Sequence, residues 1–505
     1  MKLIRLLEGL KTYEFTGDPE LEIEGVAYDS RQIKPGYLFV ALKGHALNGH
    51  HYLEDAVRNG AVAWVGEEST GLREDLTSVL VPNSREALSK IAARFYDCPF
   101  RGMNLIGITG TNGKTTTSYL LESMLAAAGK RPGVIGTINY RFQGKTHTAP
   151  VTTPESLDLM RFLREMADAR VTDVILEVSS HALDQKRTGD CPFRVAIFTN
   201  FSRDHLDYHE TMAQYFRAKS LLFQGLNRST PEVGATAIIN MDDPKGEPLA
   251  ALTEAPVVTY GLAQKWDVRA ERVSAGSSGL KARLITPVGD REIQSSLIGE
   301  INIYNILAAS AAALSLHVDL DEVVKGIERL KMVPGRLESV KNQIGLNLVV
   351  DYAHTPDALL KTLTTLRPIV EGRLITVFGC GGDRDKGKRS EMGLVAGQNS
   401  DLVFITSDNP RNEDPLSIIA QIEKGTQASG LIRLNNSPQR PFTGSGYFVE
   451  ADRRQAIRKA VALAEKKDLV LIAGKGHEDY QIVGGERKHF DDREEAVLAA
   501  SELRH

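Results

Sequence analysis

The sequence predicts an α/β protein of several domains, and three observations support this fold class. The chain has 505 residues, whereas a single hydrophobic core stops growing near ~250–300 residues. Hydrophobic residues make up 42% and charged residues 25% of the chain, as in ordinary globular proteins, which excludes disordered, collagen-like and coiled-coil chains. Short apolar runs alternate with helical patterns from end to end, which is typical of buried strands covered by helices.

Two breaks in this alternation divide the chain. Residues 97–102 and 332–336 each contain proline and glycine, which end helices and form turns. The breaks predict three domains at residues 1–99, 100–333 and 334–505, each within the usual size of a single domain.

Local patterns predict the elements of each domain in turn. The first domain has strand patterns at 38–42, 61–65 and 78–81 and helical patterns at 51–59 and 84–96. In the second, alternating residues at 266–296 predict an antiparallel meander, and the alanine-rich run 302–316 predicts a buried helix. Apolar runs at 374–378, 402–407 and 469–473 predict buried strands in the third domain.

Charge and cysteine content limit the partners and the location. The chain has 61 Lys and Arg against 65 Asp and Glu, a net charge of −4, and we find no long basic block, so we expect no nucleic-acid partner. Its most apolar stretch, 306–318, is shorter than the about 20 residues of a membrane span. Glu8 interrupts the apolar positions at the start, which is a poor match to a signal peptide. Three distant cysteines without a CxxC pair indicate a reducing compartment, so we expect a cytoplasmic protein.

A phosphate-binding loop is the strongest local signal. The apolar run 103–109 leads into the sequence GTNGKTT at 110–116, and a helical pattern follows. Glycines let the backbone close around phosphate oxygens, and the helix N-terminus adds N–H donors. Lys114 can reach the β- and γ-phosphates, and the Thr115 hydroxyl can bind magnesium. The alternative is a tight strand–helix turn with an incidental lysine.

Two later segments contain candidate metal ligands. Glu177 ends the apolar run 173–177, and a carboxylate at a buried strand end suits magnesium beside a phosphate loop. The alternative is a glutamate paired with arginine or lysine. A further apolar run at 195–200 leads into residues 201–209, which hold two histidines and two aspartates besides other polar residues. That segment is either part of the site or a polar loop with a capping aspartate.

Three other segments stay ambiguous from their residues alone. Lys219 lies in a helical pattern, where a lysine is usually solvated. The loop 408–411 follows a buried strand, where α/β sheets bind ligands, but Asn-Pro by itself indicates only a turn. The glycines at 379–382 are a weak match to a dinucleotide loop, and His477 is either functional or a hydrogen-bonded loop residue.

In combination, the segments resemble the Mur ligase family, the ATP-dependent amide-forming enzymes of bacterial cell-wall precursor synthesis. The resemblance covers essentially the whole chain and is strongest to the members that add diaminopimelate. It rests on the motifs YDSR (28–31), GHALNG (44–49), GTNGKTT (110–116), TTP (152–154), EVSSH (177–181), DHLD (204–207), Lys219, NIYN (302–305), PGR (334–336), DYAH (351–354), DNPR (408–411) and GKGHE (474–478).

The resemblance implies a fold and a reaction. The N-terminal α/β domain would hold a uridine nucleotide sugar, the central mostly parallel P-loop-type sheet ATP, and a Rossmann-like C-terminal domain the amino acid. The enzyme would join meso-diaminopimelate to UDP-N-acetylmuramoyl-L-alanyl-D-glutamate (UDP-MurNAc-dipeptide) through an acyl phosphate, with ATP and Mg²⁺ and as a monomer.

The resemblance also assigns residues. The ATP-binding positions would be Gly110, Thr111, Asn112, Gly113, Lys114, Thr115, Thr116, Asn302, Asn305, Arg336 and Asp351. The UDP-MurNAc-dipeptide positions would be Ser30, His45, Ala46, Leu47, Thr152, Thr153, Ser179, Gln185 and Arg187. The diaminopimelate positions would be Arg384, Asp408, Asn409, Pro410, Arg411, Gly474 and Glu478. Metal would be bound by Thr115, Glu177, His205 and a carbamylated Lys219, and the catalytic residues would be Lys114, Glu177, His205 and Lys219.

Arg411 is expected to select the amino acid. Diaminopimelate differs from lysine in a distal carboxylate, and arginine offers a planar fork for that group. The related lysine-adding enzymes lack this arginine, so the motif favours diaminopimelate.

Three alternative functions are weaker. Another member of the superfamily, such as a folylpolyglutamate synthase or a different Mur ligase, would not account for the segments 28–31, 45–47 and 408–411. A nucleotide-binding switch or scaffold without synthetic activity would not need the additional metal-site candidates. A dinucleotide oxidoreductase rests only on the turn at 379–382.

Overall fold

The computed structural model describes residues 1–44, 47–69, 76–226, 234–434 and 444–503. Within these ranges, sheets of five, eleven and six strands follow one another along the chain, with a small hairpin near the end. The predicted α/β class with a large, mostly parallel central sheet is confirmed. Among the described residues, no helix is both long and apolar enough to cross a membrane.

The N-terminal sheet has the order β1-β5-β4-β3-β2, and only β1 is antiparallel to its neighbour. Its strands are β1 (Glu14–Thr16), β2 (Gly25–Ala27), β3 (Tyr37–Val40), β4 (Ala61–Gly66) and β5 (Thr77–Leu80). Its helices are α1 (Leu3–Leu6), α2 (Leu53–Arg58) and α3 (Ser84–Phe95). The helical pattern at 51–59 is only partly α-helical, because a 3₁₀ turn at Gly49–Tyr52 precedes α2.

The central sheet has the order β16-β15-β14-β13-β12-β11-β6-β10-β7-β8-β9. Its strands are β6 (Asn104–Thr109), β7 (Pro132–Ile135), β8 (Asn139–Phe142), β9 (Lys145–Thr148), β10 (Asp173–Glu177), β11 (Phe193–Phe198), β12 (Thr236–Asn240), β13 (Val257–Gly261), β14 (Val268–Gly276), β15 (Gly279–Thr286) and β16 (Gly289–Ser295). Its helices are α4 (Lys114–Ala127), α5 (Ser156–Asp168), α6 (Ser180–Asp184), α7 (Leu206–His209), α8 (Met212–Leu226), α9 (Gly246–Ala250), α10 (Ile301–Ser315) and α11 (Leu320–Arg329).

From β14 across to β7 every neighbouring pair of strands is parallel. The predicted meander is present as β14–β16, but β14 pairs with β13, so the meander extends the central sheet. Leu105 packs in one core while its neighbour Ile106 packs in another on the opposite face. The strand is therefore covered on both faces, which explains its unbroken apolar run.

The C-terminal sheet has the order β17-β18-β22-β19-β20-β21, and only β17 is antiparallel. Its strands are β17 (Glu338–Ser339), β18 (Asn347–Asp351), β19 (Leu374–Phe378), β20 (Leu402–Ile405), β21 (Gly446–Val449) and β22 (Leu469–Ala473), and the hairpin is β23 (Tyr480–Val483) with β24 (Glu486–His489). Its helices are α12 (Pro356–Leu366), α13 (Gly387–Asn399), α14 (Pro415–Ala428), α15 (Arg453–Leu463) and α16 (Asp492–Glu502). The parallel order brings the loops after β18, β19, β20 and β22 to one edge.

Candidate functional site

The phosphate loop has the geometry that its sequence predicts. Gly110 has φ +146° and Gly113, directly before α4, has φ +87°; both values suit glycine best. A Cβ on Gly113 would overlap the side chain of Asn305 from α10. The Lys114 ammonium donates to the Gly110 carbonyl at 2.8 Å and to the Thr111 carbonyl at 3.0 Å. The first N–H groups of α4 thus form a site suited to phosphate.

Glu177 lies at the end of β10 and is 1% exposed. Its carboxylate accepts hydrogen bonds from the Thr115 hydroxyl at 3.0 Å and the Thr137 hydroxyl at 2.8 Å, and it also accepts one from the Thr137 backbone N–H. No ion pair to Glu177 is found within the described ranges, so the paired-glutamate alternative is not supported. Sequence reasoning missed Thr137, although it follows β7, whose carboxyl end lies at the same edge of the sheet.

The oxygen atoms around Glu177 suit a hard cation. Thr115, Thr137 and Glu177 place two hydroxyls and a carboxylate together. In the described part of the chain, no group of three or more His, Cys, Asp and Glu residues forms a metal site. Magnesium typically takes one or two protein carboxylates and completes its shell with phosphate oxygens and water. This donor set therefore fits Mg²⁺ and does not fit a metal that needs several histidines or thiolates.

Lys219, on α8, is 2% exposed, so the solvated-surface interpretation of its helical pattern is wrong. Its ammonium donates at 2.9 Å to the Gly110 carbonyl, the same oxygen that accepts from Lys114. The centroid of the Tyr215 ring lies 4.5 Å from Nζ of Lys219. Burial, together with the positive charge of Lys114, holds the pKa of Lys219 well below its usual value of 10.5. Lys219 is therefore a candidate for a neutral, nucleophilic amine.

His205 lies on a strained loop beside the phosphate loop. It has φ +53°, which is uncommon for a residue with a side chain. Asp204 accepts the His205 backbone N–H at 2.8 Å, but the N-terminus of α7 has no side-chain cap, so the capping-aspartate alternative is not supported there. The ring centroid of His205 lies 4.9 Å from that of His181. Burial lowers the pKa of His205, which favours a neutral imidazole able to accept a proton or bind a metal.

A cavity of about 850 Å³ opens between the central and C-terminal sheets. Asn112 from the phosphate loop donates to Asp357 from α12 at 3.3 Å, and Arg336 donates to Thr115 at 3.3 Å, so both sides contact each other around it. Most of the sequence-predicted residues line it: Thr111, Asn112, Gly113, Lys114, Thr115, Thr116, Thr152, Thr153, Ser179, Arg187, His205, Lys219, Asn302, Asn305, Arg336, Asp351 and Arg384.

The residues predicted to hold the dipeptide form one network beside Glu177. The Thr153 hydroxyl donates to the Glu177 backbone carbonyl at 2.8 Å. Arg187 donates to the Thr153 carbonyl at 2.9 Å and to the Gln185 side chain at 2.7 Å. Gln185 is outside the cavity lining but orients Arg187. Glu155, missed from the sequence, lies 3.5 Å from Arg187 and accepts from Arg85 of the N-terminal domain at 2.9 Å.

The two described N-terminal candidates, Ser30 and Leu47, do not line the cavity. Ser30 is buried in the 3₁₀ turn Ser30–Gln32, while Leu47 is 66% exposed. His45 and Ala46 lie outside the described residues. The Tyr28 hydroxyl donates to Asp158 of α5 at 2.6 Å, so this domain contacts the helix that follows the dipeptide residues.

The amino-acid candidates form a second cluster at the carboxyl ends of β20 and β22. The Asn409 amide donates to Glu478 at 2.9 Å, and Arg411 donates to the Gly382 carbonyl at 2.7 Å. Asp408, Asn409, Pro410, Arg411, Gly474 and Glu478 do not line the 850 Å³ cavity, whereas Arg384 does. A Cβ on Gly382 would overlap the Pro410 carbonyl, so loop packing explains this glycine and the oxidoreductase alternative loses its support.

His477 is not the hydrogen-bonded loop residue that one interpretation suggested. Its buried Nδ1 has no hydrogen-bond partner among the residues described. The centroid of its ring lies 5.0 Å from the centroid of the Tyr352 ring. Burial, with a smaller effect from Arg336, lowers the pKa of His477 to about 3, so the ring is neutral at physiological pH.

Comparison with family models gives three matches in order along the chain. Residues 22–96 match the Mur ligase family catalytic domain, residues 108–313 the Mur ligase middle domain, and residues 335–476 the Mur ligase glutamate ligase domain. These segments cover most of the chain and include the phosphate loop, Lys219 and the loop 408–411. The chain belongs to the Mur ligase family.

Similar Mur ligases are related over their full length. A protein from Geobacter metallireducens is 48% identical over 100% of this chain and 99% of its own length. One from Geobacter sulfurreducens is 46% identical over 99% and 98%. Both are named UDP-N-acetylmuramoyl-L-alanyl-D-glutamate--2,6-diaminopimelate ligase. A solved structure with the same name has a TM-score of 0.70 at 32% identity and covers 100% of this chain and 99% of its own.

Proposed function

We propose that this chain joins meso-diaminopimelate to UDP-N-acetylmuramoyl-L-alanyl-D-glutamate with conversion of ATP to ADP and phosphate, in peptidoglycan precursor synthesis. The observation that carries the proposal is that one cavity is lined by the phosphate loop, Lys219, Arg187 and Arg384 together. A nucleotide phosphate, an acceptor carboxylate and an amino acid could meet there. Relatives of 46–48% identity that carry this ligase name support the same conclusion.

The proposed reaction has two steps: the carboxylate is first converted to an acyl phosphate, and the amine then displaces phosphate. An oxygen of the D-glutamate γ-carboxylate attacks the γ-phosphorus of ATP, and ADP leaves with the electrons of the broken P–O bond. The amine of diaminopimelate then attacks the carbonyl carbon of the acyl phosphate, loses a proton, and phosphate leaves. Positioning and charge neutralisation contribute most to such a reaction.

We assign a different role in this reaction to each group of cavity residues. Lys114 and the N–H groups that begin α4 offset the charge of the phosphates. Thr115 and Glu177 would hold Mg²⁺, which supplies positive charge to the phosphate oxygens when bound. Arg336 contacts Thr115 from the C-terminal side. Contacts across the cavity would keep water from the labile acyl phosphate.

Lys219 fits the proposed carbamylation. A carbamate forms when a neutral amine attacks the carbon of carbon dioxide and releases one proton to solvent. Burial beside Lys114 favours the neutral amine. The modified side chain would be an oxygen-bearing anion beside the Lys114 ammonium. With His205, it would then orient the magnesium site, where an ammonium would repel the metal.

Product mass tests the proposal most directly. The protein is incubated with ATP, Mg²⁺ and the nucleotide dipeptide, and diaminopimelate and lysine are offered in separate reactions. We expect a product whose mass has increased by diaminopimelate less one water, together with stoichiometric ADP. Release of ADP without an amide product, or equal use of lysine, would contradict the proposed substrate.

The remaining assignments belong to the same proposal. The domain limits are 1–99, 100–333 and 334–505, with the nucleotide sugar, ATP and amino acid held in that order. The enzyme acts as a monomer in the cytoplasm, without a nucleic-acid partner. Sparse, unpaired cysteines support the reducing compartment.

A further inference from the structure

Lys475 is a buried cation inside the predicted amino-acid site. Its side chain is 0% exposed. Its ammonium donates to the Asn409 side-chain oxygen at 3.1 Å and to the Glu478 carboxylate at 3.3 Å. Asp408 Oδ1 lies 3.5 Å from the same nitrogen. A lysine is almost never buried so completely unless its partners compensate it, and here the partners are three of the predicted diaminopimelate residues.

Lys475 determines which way the Asn409 side chain faces. The Asn409 oxygen accepts from Lys475 and from the Ile482 backbone N–H at 3.0 Å. Because both donors face the oxygen, the amide nitrogen must face Glu478, to which it donates at 2.9 Å. An amide without this lysine could rotate, and the Glu478 carboxylate would lose two donors at once.

The charges of this cluster are not balanced. Lys475 offsets one of the two carboxylates, Asp408 and Glu478. The nearby buried Arg453 is paired with Asp492, and both side chains are 0% exposed. Asp408 Oδ1 is buried and has no hydrogen bond from any described residue. Arg411 of the same loop donates to the Gly382 carbonyl and to neither carboxylate. Lys475, Asp408 and Glu478 together therefore carry one uncompensated negative charge, which an ammonium group of the amino acid would offset.

We propose that Lys475 is a positioning residue that sets amino-acid recognition: it holds Asn409 and Glu478 in one orientation and leaves a single negative charge for a substrate ammonium. This inference rests on the proposed function of the chain. Lys475 does not line the cavity proposed for ATP and the acyl phosphate, so its effect should fall on the binding of the amino acid.

A double-mutant cycle tests the inference. Lys475→Met, Glu478→Gln and the combined variant are compared by steady-state kinetics for ATP, the nucleotide dipeptide and diaminopimelate. Each single variant should raise the KM for diaminopimelate about 10- to 150-fold, the range of one charge-assisted hydrogen bond. The KM for ATP should change less than about threefold, because neither residue lines the cavity proposed for ATP. The combined variant should resemble the worse single variant, since Lys475 acts through Glu478.

A second substitution and a matched control separate positioning from folding. Lys475→Gln removes the charge but keeps an N–H donor, on a side chain one atom shorter, so it is used if Lys475→Met fails to fold. Arg373→Met removes another cation with a buried partner, Asp468, at the opposite end of the same strands. It should lower the melting temperature and leave the KM for diaminopimelate unchanged.

Three results would overturn the inference. These are multiplicative effects in the combined variant, an equal rise in the KM for ATP, or an unchanged KM for diaminopimelate in Lys475→Gln. Failure of the proposed function is distinguishable from all three, because there the unmodified protein itself would not form the diaminopimelate product.

Discussion

Replacing Arg411 with alanine should weaken the preference for diaminopimelate over lysine. Arg411 lies beside Gly382, whose carbonyl accepts from Nη1 at 2.7 Å, while the backbone N–H of Arg411 donates to Ile482 at 3.0 Å. The side chain is thus tethered at one nitrogen, and the other guanidinium donors can meet a carboxylate. Its φ of +53° is held by the backbone contacts, so an alanine at this position would adopt the same strained backbone conformation. The difference between the unmodified protein and Arg411→Ala therefore reports the loss of the side chain.

The magnitude follows from the interaction that is lost. A charge-assisted hydrogen bond contributes roughly 1.5–3 kcal/mol, which corresponds to about a 10- to 150-fold change in relative kcat/KM. Competition between the two amino acids, with products separated by mass, measures that ratio directly. The expected loss is in diaminopimelate use, with an unchanged KM for ATP.

A control variant makes the Arg411 result interpretable. Arg433→Ala removes an arginine of the same domain that pairs with Glu423 and has a 52% exposed side chain, and it should leave the preference unchanged. An unchanged diaminopimelate-to-lysine ratio in Arg411→Ala would refute the selector role. So would an equal loss with both amino acids, because lysine lacks the distal carboxylate.

Three further outcomes are expected. Lys219→Ala should abolish ligation while the protein stays folded, and added bicarbonate should not restore it; full activity would exclude a carbamate role. Arg453→Met should lower stability by about 3–5 kcal/mol, because it leaves Asp492 buried and unpaired, whereas adding Asp492→Leu should recover most of the calorimetric melting temperature. Hydrogen bonds from Arg389 lower the pKa of Glu413 from 4.5 to about 2. Its stabilising effect is therefore complete above about pH 4.5 and is lost as the pH falls towards 2. The melting-temperature penalty of Glu413→Gln should then be smaller at pH 3 than at pH 6; an equal penalty would disprove the ion-pair explanation.

The phosphate loop could be predicted because its geometry is local. Strand β6, the turn at 110–113 and helix α4 are contiguous in sequence, and glycines at fixed positions specify the turn. The buried strands could also be predicted, since a strand covered on both faces reads as a continuous apolar run. The parallel pairing of β14 with β13, by contrast, joins the meander to the central sheet through contacts that no local pattern records.

The burial of Lys219 could not be predicted from the sequence, because it depends on tertiary contacts. Its helical pattern predicts an exposed side chain, yet Nζ donates to the carbonyl of Gly110, which precedes it by 109 residues. Glu177 and Thr137 likewise meet because β10 lies next to β7 in the sheet order. Neither contact is visible from spacing along the chain.

By itself, the sequence determined the fold class, the phosphate loop and the family, because these depend on short-range patterns and residue types. Only the tertiary structure decided which side chains share a cavity, which lysine is buried beside another, and which cation orients the amide of Asn409. Sheet order and helix packing bring distant residues together, and burial then changes what their charges can do. A net charge of −4 for the whole chain gives no indication of such local arrangements.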